Sequence, residues 1–127
     1  MRIEHVAIWT SRLEELTGFY VRFFGAQAGP PYRSARRPFE SRFLTFASGA
    51  RLELMRGPDL AAGQGPDPRT GLAHLAISVG SAAEVDRLTA EIAAAGHPVR
   101  GAPRTTGDGY YESVVLDPDG NMVEITA

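Results

Sequence analysis

The sequence predicts an α+β fold in which one module, strand–helix–strand–strand–strand (βαβββ), occurs twice, and three repeated features predict it. The strand-like segment Glu4-His5-Val6-Ala7-Ile8 returns as Ala73-His74-Leu75-Ala76-Ile77, 69 positions on. Each copy leads into a helical pattern opened by a serine and closed by a glycine. Each helix is followed by strand-like runs joined through a glycine turn. With 127 residues the chain fits one domain, and a module of about 60 residues would have only a marginal core by itself. The boundaries read as module 1 over about 1–56, a linker over 57–70, and module 2 over about 71–127.

The elements follow in order. Ser11 with Glu14, and Ser81 with Glu84, have the spacing of a capping box, in which serine and glutamate satisfy free amides of the first helical turn. Apolar residues then recur at helical spacing: Leu13, Leu16, Tyr20, Phe23 and Phe24 in one copy, Val85, Leu88, Ile92 and Ala95 in the other. Gly25 and Gly96 are placed to end these helices in the left-handed conformation. The paired strands are read at about Phe43–Phe46 and Arg51–Met55, turning at Ser48-Gly49, and at about Tyr111–Leu116 and Met122–Thr126, turning through Asp117-Pro118-Asp119-Gly120. Proline and glycine keep 57–68 out of regular structure.

Composition narrows the chemistry. There is no cysteine and no lysine, and all thirteen basic residues are arginine. Thiolate nucleophiles, disulfides, zinc fingers, Schiff-base lysines and the P-loop lysine are therefore excluded. A net charge of −2 argues against nucleic acid as a partner. Six arginines nevertheless fall between 31 and 56 (Arg33, Arg36, Arg37, Arg42, Arg51, Arg56) against Glu40 and Glu53. The plain reading is a solvated loop; the sharper one is a clamp for a small anionic substrate. No run approaches the roughly 18 apolar residues of a membrane span, and Arg2, Glu4 and His5 interrupt the first ten residues, so a cytoplasmic protein is expected.

Four residues fall where the repeat would place a metal. Strand side chains alternate, so His5 shares a face with Ile3 and Ala7, and His74 with Leu72 and Ala76. Glu53 and Glu124 are central in otherwise apolar strands, where an ionised carboxylate needs a partner. Each module thus offers one imidazole and one carboxylate from equivalent strands. Two His and two Glu on a concave sheet face would form a nitrogen and oxygen site for a divalent ion: Ni²⁺, Zn²⁺, Co²⁺, Mn²⁺ or Fe²⁺. His97, between Gly96 and Pro98 and without a counterpart in module 1, reads as a loop residue.

With these four residues, the βαβββ duplication and the terminal Asp117-Pro118-Asp119-Gly120-Asn121-Met122-Val123-Glu124, the whole chain resembles the vicinal oxygen chelate superfamily. The segments Gly71–Val79 and Leu52-Glu53-Leu54 most resemble small bacterial glyoxalase I-like proteins. The resemblance implies a curled eight-stranded mixed sheet around a divalent metal, in a homodimer. It implies a lyase or isomerase that moves a proton on a metal-chelated hemithioacetal or similar substrate through an enediolate. Glu124 would be the base and Glu53 its equivalent, since a carboxylate beside a Lewis acid suits proton abstraction next to a carbonyl. Tyr20-Val21-Arg22-Phe23-Phe24-Gly25 resembles the family segment whose arginine holds a substrate carboxylate, which makes Arg22 a candidate for substrate binding, with Arg37 from the arginine-rich segment as a second. Glyoxalase I commonly has an asparagine four residues after the strand glutamate, where this chain has Gly57, so the expectation extends to the reaction class and not to glutathione. The alternatives are a non-catalytic binder of the bleomycin-resistance type and an epimerase of a 2-methyl-malonyl thioester.

Overall fold

The computed structural model describes residues 1–36, 38–60, 71–107 and 109–127. The chain divides into two compact units, Met1–Ala62 and Gly63–Ala127, a division that falls inside the stretch read as a linker. The first unit runs β1 (His5–Trp9), α1 (Leu13–Phe24), β2 (Gln27–Ala28), β3 (Tyr32–Arg33), β4 (Glu40–Thr45) and β5 (Arg51–Arg56). The second runs β6 (Leu75–Ser78), α2 (Ala82–Ala94), β7 (Val99–Thr105), β8 (Tyr111–Leu116) and β9 (Met122–Thr126).

Each unit has its own mixed sheet, and the two sheets are wired alike. The first has the order β1-β5-β4-β2, with β3 also on β4, and the second the order β6-β9-β8-β7. In both, the opening strand lies parallel to the closing strand, and the remaining pairs are antiparallel. The strands therefore form two sheets where one eight-stranded sheet was expected, and a ninth strand appears. It arises because the strand after α1 is broken by Gly29-Pro30-Pro31. Two successive prolines supply no N–H groups, so the ladder with β4 stops at β2 and resumes at β3.

The cores follow from alternation. On β5, Leu52 and Leu54 are buried while Arg51, Glu53 and Met55 take the other face; on β9, Val123 and Ile125 are buried while Glu124 takes the other face. Helix α1 packs on β4 and β5, where Leu13, Leu16, Phe19, Tyr20 and Phe23 join Leu44, Leu52 and Leu54. Helix α2 packs on β8 and β9, where Val85, Leu88 and Ile92 join Val115, Val123 and Ile125. Each such buried aliphatic or aromatic side chain contributes about 1.5–3 kcal/mol. In each unit a helix thus covers one face of the sheet, and the face left over carries the ionisable residues.

The helix ends differ from the expected symmetry. Ser81 caps α2 by accepting from the Glu84 N–H at 3.3 Å, but the Glu84 carboxylate turns to Arg87, 2.8 Å away, and does not complete the box. At α1 the expected box is absent: the helix starts at Leu13, Arg12 is the capping residue, and the Thr10 hydroxyl accepts from the Arg12 N–H at 2.8 Å. Glu14, the other half of that box, faces Arg42 on β4 at 3.3 Å. Threonine one position earlier outcompetes Ser11 because its hydroxyl tightens the chain leaving β1 into a turn. The glycine endings occur as expected. Gly25 adopts φ 64°, and at Gly96, with φ 91°, the N–H groups of Gly96 and His97 reach the carbonyls of Ala93 and Ile92 in a Schellman arrangement.

Candidate metal centre

His5 opens β1, and the parallel neighbour β5 sets Glu53 opposite Ala7, one alternation further along the same face. Their side chains meet with His5 Nε2 3.7 Å from a Glu53 carboxylate oxygen. In the second unit Glu124 lies opposite Ala76, and His74 Nε2 is 3.6 Å from a Glu124 carboxylate oxygen. Residues far apart in sequence are brought together twice by the same parallel pairing. In both pairs the carboxylate is recessed, 16% and 19% exposed, while the imidazole stands out at 39% and 43%. The separations exceed a hydrogen bond. They lie close to the roughly 3–3.5 Å between neighbouring ligand atoms of one ion, given metal–nitrogen and metal–oxygen bonds near 2.0–2.2 Å. Each pair therefore offers one nitrogen and one oxygen donor at a spacing that neighbouring metal ligands could have. No group of three or more His, Asp or Glu able to hold a metal forms among the described residues.

The duplicated module has a counterpart among known proteins. Residues 2–125 match the model of the Glyoxalase/Bleomycin resistance protein/Dioxygenase superfamily. The chain belongs to this superfamily. Among solved structures it is similar to a glyoxylase/bleomycin resistance protein/dioxygenase domain from Frankia sp. EAN1pec (TM-score 0.84, 18% identity, 99% of this chain and 96% of that one). It is also similar to the trypanothione-dependent glyoxalase I of Leishmania major (TM-score 0.78, 22% identity, 99% and 86%). A third likeness is to glyoxalase I of Zea mays (TM-score 0.79, 22% identity), where 98% of this chain spans 44% of that one. At these identities the likeness is one of fold. Among curated proteins none matches the chain.

Around the two imidazole–carboxylate pairs the units differ. In the first, Glu4 accepts a hydrogen bond from His5 Nδ1 at 2.6 Å, and this bond, with Arg51, holds the Glu4 carboxyl below the usual carboxylate range. In the second, a hollow of about 560 Å³ is lined by His74, Glu124, Glu112, Thr126 and Tyr110. Glu112, on β8 and 9% exposed, faces Arg104 at 3.3 Å, and the Thr126 hydroxyl is buried without a hydrogen-bond partner. Sequence reasoning passed over Glu4, Glu112 and Thr126. The Asp117-Gly120 turn sets up β9: Asp117 Oδ1 accepts from the N–H groups of Asp119 (3.0 Å) and Asn121 (2.9 Å).

The described arginines named above meet other partners within their unit. Arg22 lies exposed in the last turn of α1 with its guanidinium 4.8 Å from the Phe23 ring centre. Because α1 covers the sheet face opposite Glu53, the first unit does not bring Arg22 to His5 and Glu53. Arg37 lies outside the described residues. Of the remaining cluster, Arg33 and Arg56 pair with Glu40, Arg42 with Glu14, and Arg51 with Glu4. Glu14 on α1 and Glu4 just before β1, both outside residues 31–56, thus offset two of the four surplus positive charges that stood out in the linear sequence. His97 is, as read, a helix-end loop residue, its N–H bonded to the Ile92 carbonyl. No helix among the described residues is long and apolar enough to cross a membrane.

Proposed function

We propose that this chain is a divalent-metal-dependent lyase or isomerase of the glyoxalase I type, acting as a homodimer on a small substrate with two adjacent oxygens. The observation that supports it is the recurrence of one imidazole–carboxylate pair, His5 with Glu53 and His74 with Glu124, at 3.7 and 3.6 Å on equivalent strands. His5, Glu53, His74 and Glu124 are the metal ligands in this reading. The bound ion supplies Lewis-acid stabilisation of negative charge developing on the substrate oxygens. Glu124 takes the proton from the carbon beside the carbonyl and returns it to the neighbouring carbon, with Glu53 as its equivalent in the other module. The hydroxyls of Tyr110 and Thr126 beside Glu124 are suited to bind substrate oxygens.

The test is calorimetric titration of metal-free protein with Ni²⁺ and Zn²⁺, coupled to assay of methylglyoxal with glutathione and with other small thiols. Binding of metal together with turnover by any thiol supports the reading, and Glu124→Gln then lowers turnover by about 10²- to 10⁴-fold with the fold retained. Absence of metal binding overturns it in favour of a non-catalytic binder. Metal binding without turnover by any thiol rejects the glyoxalase I chemistry and leaves a 2-methyl-malonyl thioester as the next substrate to assay.

A further inference from the structure

The two imidazoles are not held alike. His5 sits in a closed ring of four side chains. Its Nδ1 meets Glu4 at 2.6 Å, Glu4 meets Arg51 at 2.5 Å, the Arg51 guanidinium lies 4.1 Å from the centre of the Phe43 ring, and Phe43 stacks edge-on against His5 at 5.3 Å. The backbone supports the ring as well, since the Arg51 N–H donates to the Glu4 carbonyl at 3.0 Å. At the equivalent places of the second unit stand Ala73, Met122 and Val114, none of which can accept or donate such a bond. Their register is the same: Phe43 lies opposite Glu53 as Val114 lies opposite Glu124.

A carboxylate only accepts, so the proton of this bond is on His5 Nδ1. The lone pair of neutral His5 is thereby fixed on Nε2, the atom that faces Glu53. A solvated neutral histidine side chain prefers the opposite arrangement, with its proton on Nε2. Carboxylates that orient a ligating histidine in this way raise its basicity and fix its ring. Arg51 and Phe43 hold Glu4 and the ring from their other sides, so few rotamers remain to be lost on binding.

We infer that Glu4 is a positioning residue for His5, locked by Arg51, so that the first unit's half of the ligand set is pre-oriented and the second unit's half is not. The consequence for metal binding rests on the proposed role of His5 as a ligand; the tautomer does not.

The experiment has two readouts on Glu4→Ala, Arg51→Met and His5→Ala. Long-range proton–nitrogen NMR of the metal-free protein, at a pH where histidine is neutral, should show the proton of wild-type His5 on Nδ1 and that of His74 mainly on Nε2. In Glu4→Ala the His5 pattern should become that of His74. A wild-type His5 carrying its proton on Nε2, or a pattern unchanged by Glu4→Ala, overturns the inference. Titration with Ni²⁺ alone should show an affinity loss of about 10- to 100-fold for Glu4→Ala and a smaller loss for Arg51→Met. Loss in His5→Ala with none in Glu4→Ala overturns positioning while the metal reading stands. Wild-type affinity in His5→Ala overturns the metal reading, and the NMR result then still decides the role of Glu4.

Discussion

Replacing Thr89 by valine should cost more stability than deleting the hydroxyl it bonds, although the second change removes a more deeply buried polar atom. Thr89 on α2 and Ser113 on β8 are 5% and 0% exposed, and their hydroxyl oxygens lie 2.6 Å apart. The Thr89 hydroxyl also donates to the Val85 carbonyl at 2.6 Å. Thr89 has one proton to give, so the second bond must be donated by Ser113. Thr89→Val keeps the side-chain volume but strands the Ser113 hydroxyl in the core, a loss of about 1–3 kcal/mol. Ser113→Ala removes the stranded group itself and leaves Thr89 bonded to Val85, a loss of about 0.5–1.5 kcal/mol. The double variant has no orphan and should cost no more than Thr89→Val alone, which leaves a coupling of about 1 kcal/mol. Urea unfolding at constant m-value measures all three, and a thermal midpoint shift of about 4 °C per kcal/mol gives an independent check. Losses that add to within about 0.5 kcal/mol, or a Ser113→Ala loss equal to that of Thr89→Val, would refute the assigned donor direction.

Two further outcomes are expected. Asp117→Ala should destabilise the protein by about 2–4 kcal/mol, because the buried carboxylate accepts from two backbone amides whose charged bonds are worth about 1.5–3 kcal/mol each before the turn rehydrates; a loss under about 1 kcal/mol by urea unfolding would show that the turn holds without it. The Tyr111 hydroxyl donates to Asp86 at 2.7 Å, which raises its pKa above the ordinary value near 10. Since the folded value is the higher one, this bond's stabilisation is complete below about pH 10 and is lost as pH rises through the folded pKa. NMR titration of labelled tyrosine should show Tyr111 moving back toward the ordinary value in Asp86→Asn, and an unmoved midpoint would reject the bond.

What the sequence disclosed was whatever repeats locally. The bounds of β8 and β9, the glycine endings of both helices and the face shared by each histidine with its neighbouring alanine were legible, because alternation and helical spacing are properties of a short window. The start of α1 was misread, since Thr10 and Ser11 both offer a hydroxyl and only the path of the chain chooses between them. The broken strand around Pro30-Pro31 was marked by its prolines, yet its pairing with β4 is a long-range fact. The four candidate ligands were visible as types in matched places, and their approach in pairs needed the parallel register. Glu4 had a signal, an acid directly before the histidine in one copy and alanine in the other. Its meaning depended on Arg51 arriving across the sheet.

The alternation on β5 and β9 makes ligand presentation a check on folding fidelity. Leu52, Leu54, Val123 and Ile125 point into the cores only in the register that sends Glu53 and Glu124 to the other side. A slip by one residue would bury each glutamate beneath a helix and expose its flanking aliphatic residues. Carboxylate and core are thus inseparable outcomes of one pairing decision: a chain that folds stably in these strands has already aimed both glutamates, and one that misaligns them cannot persist as a stable impostor.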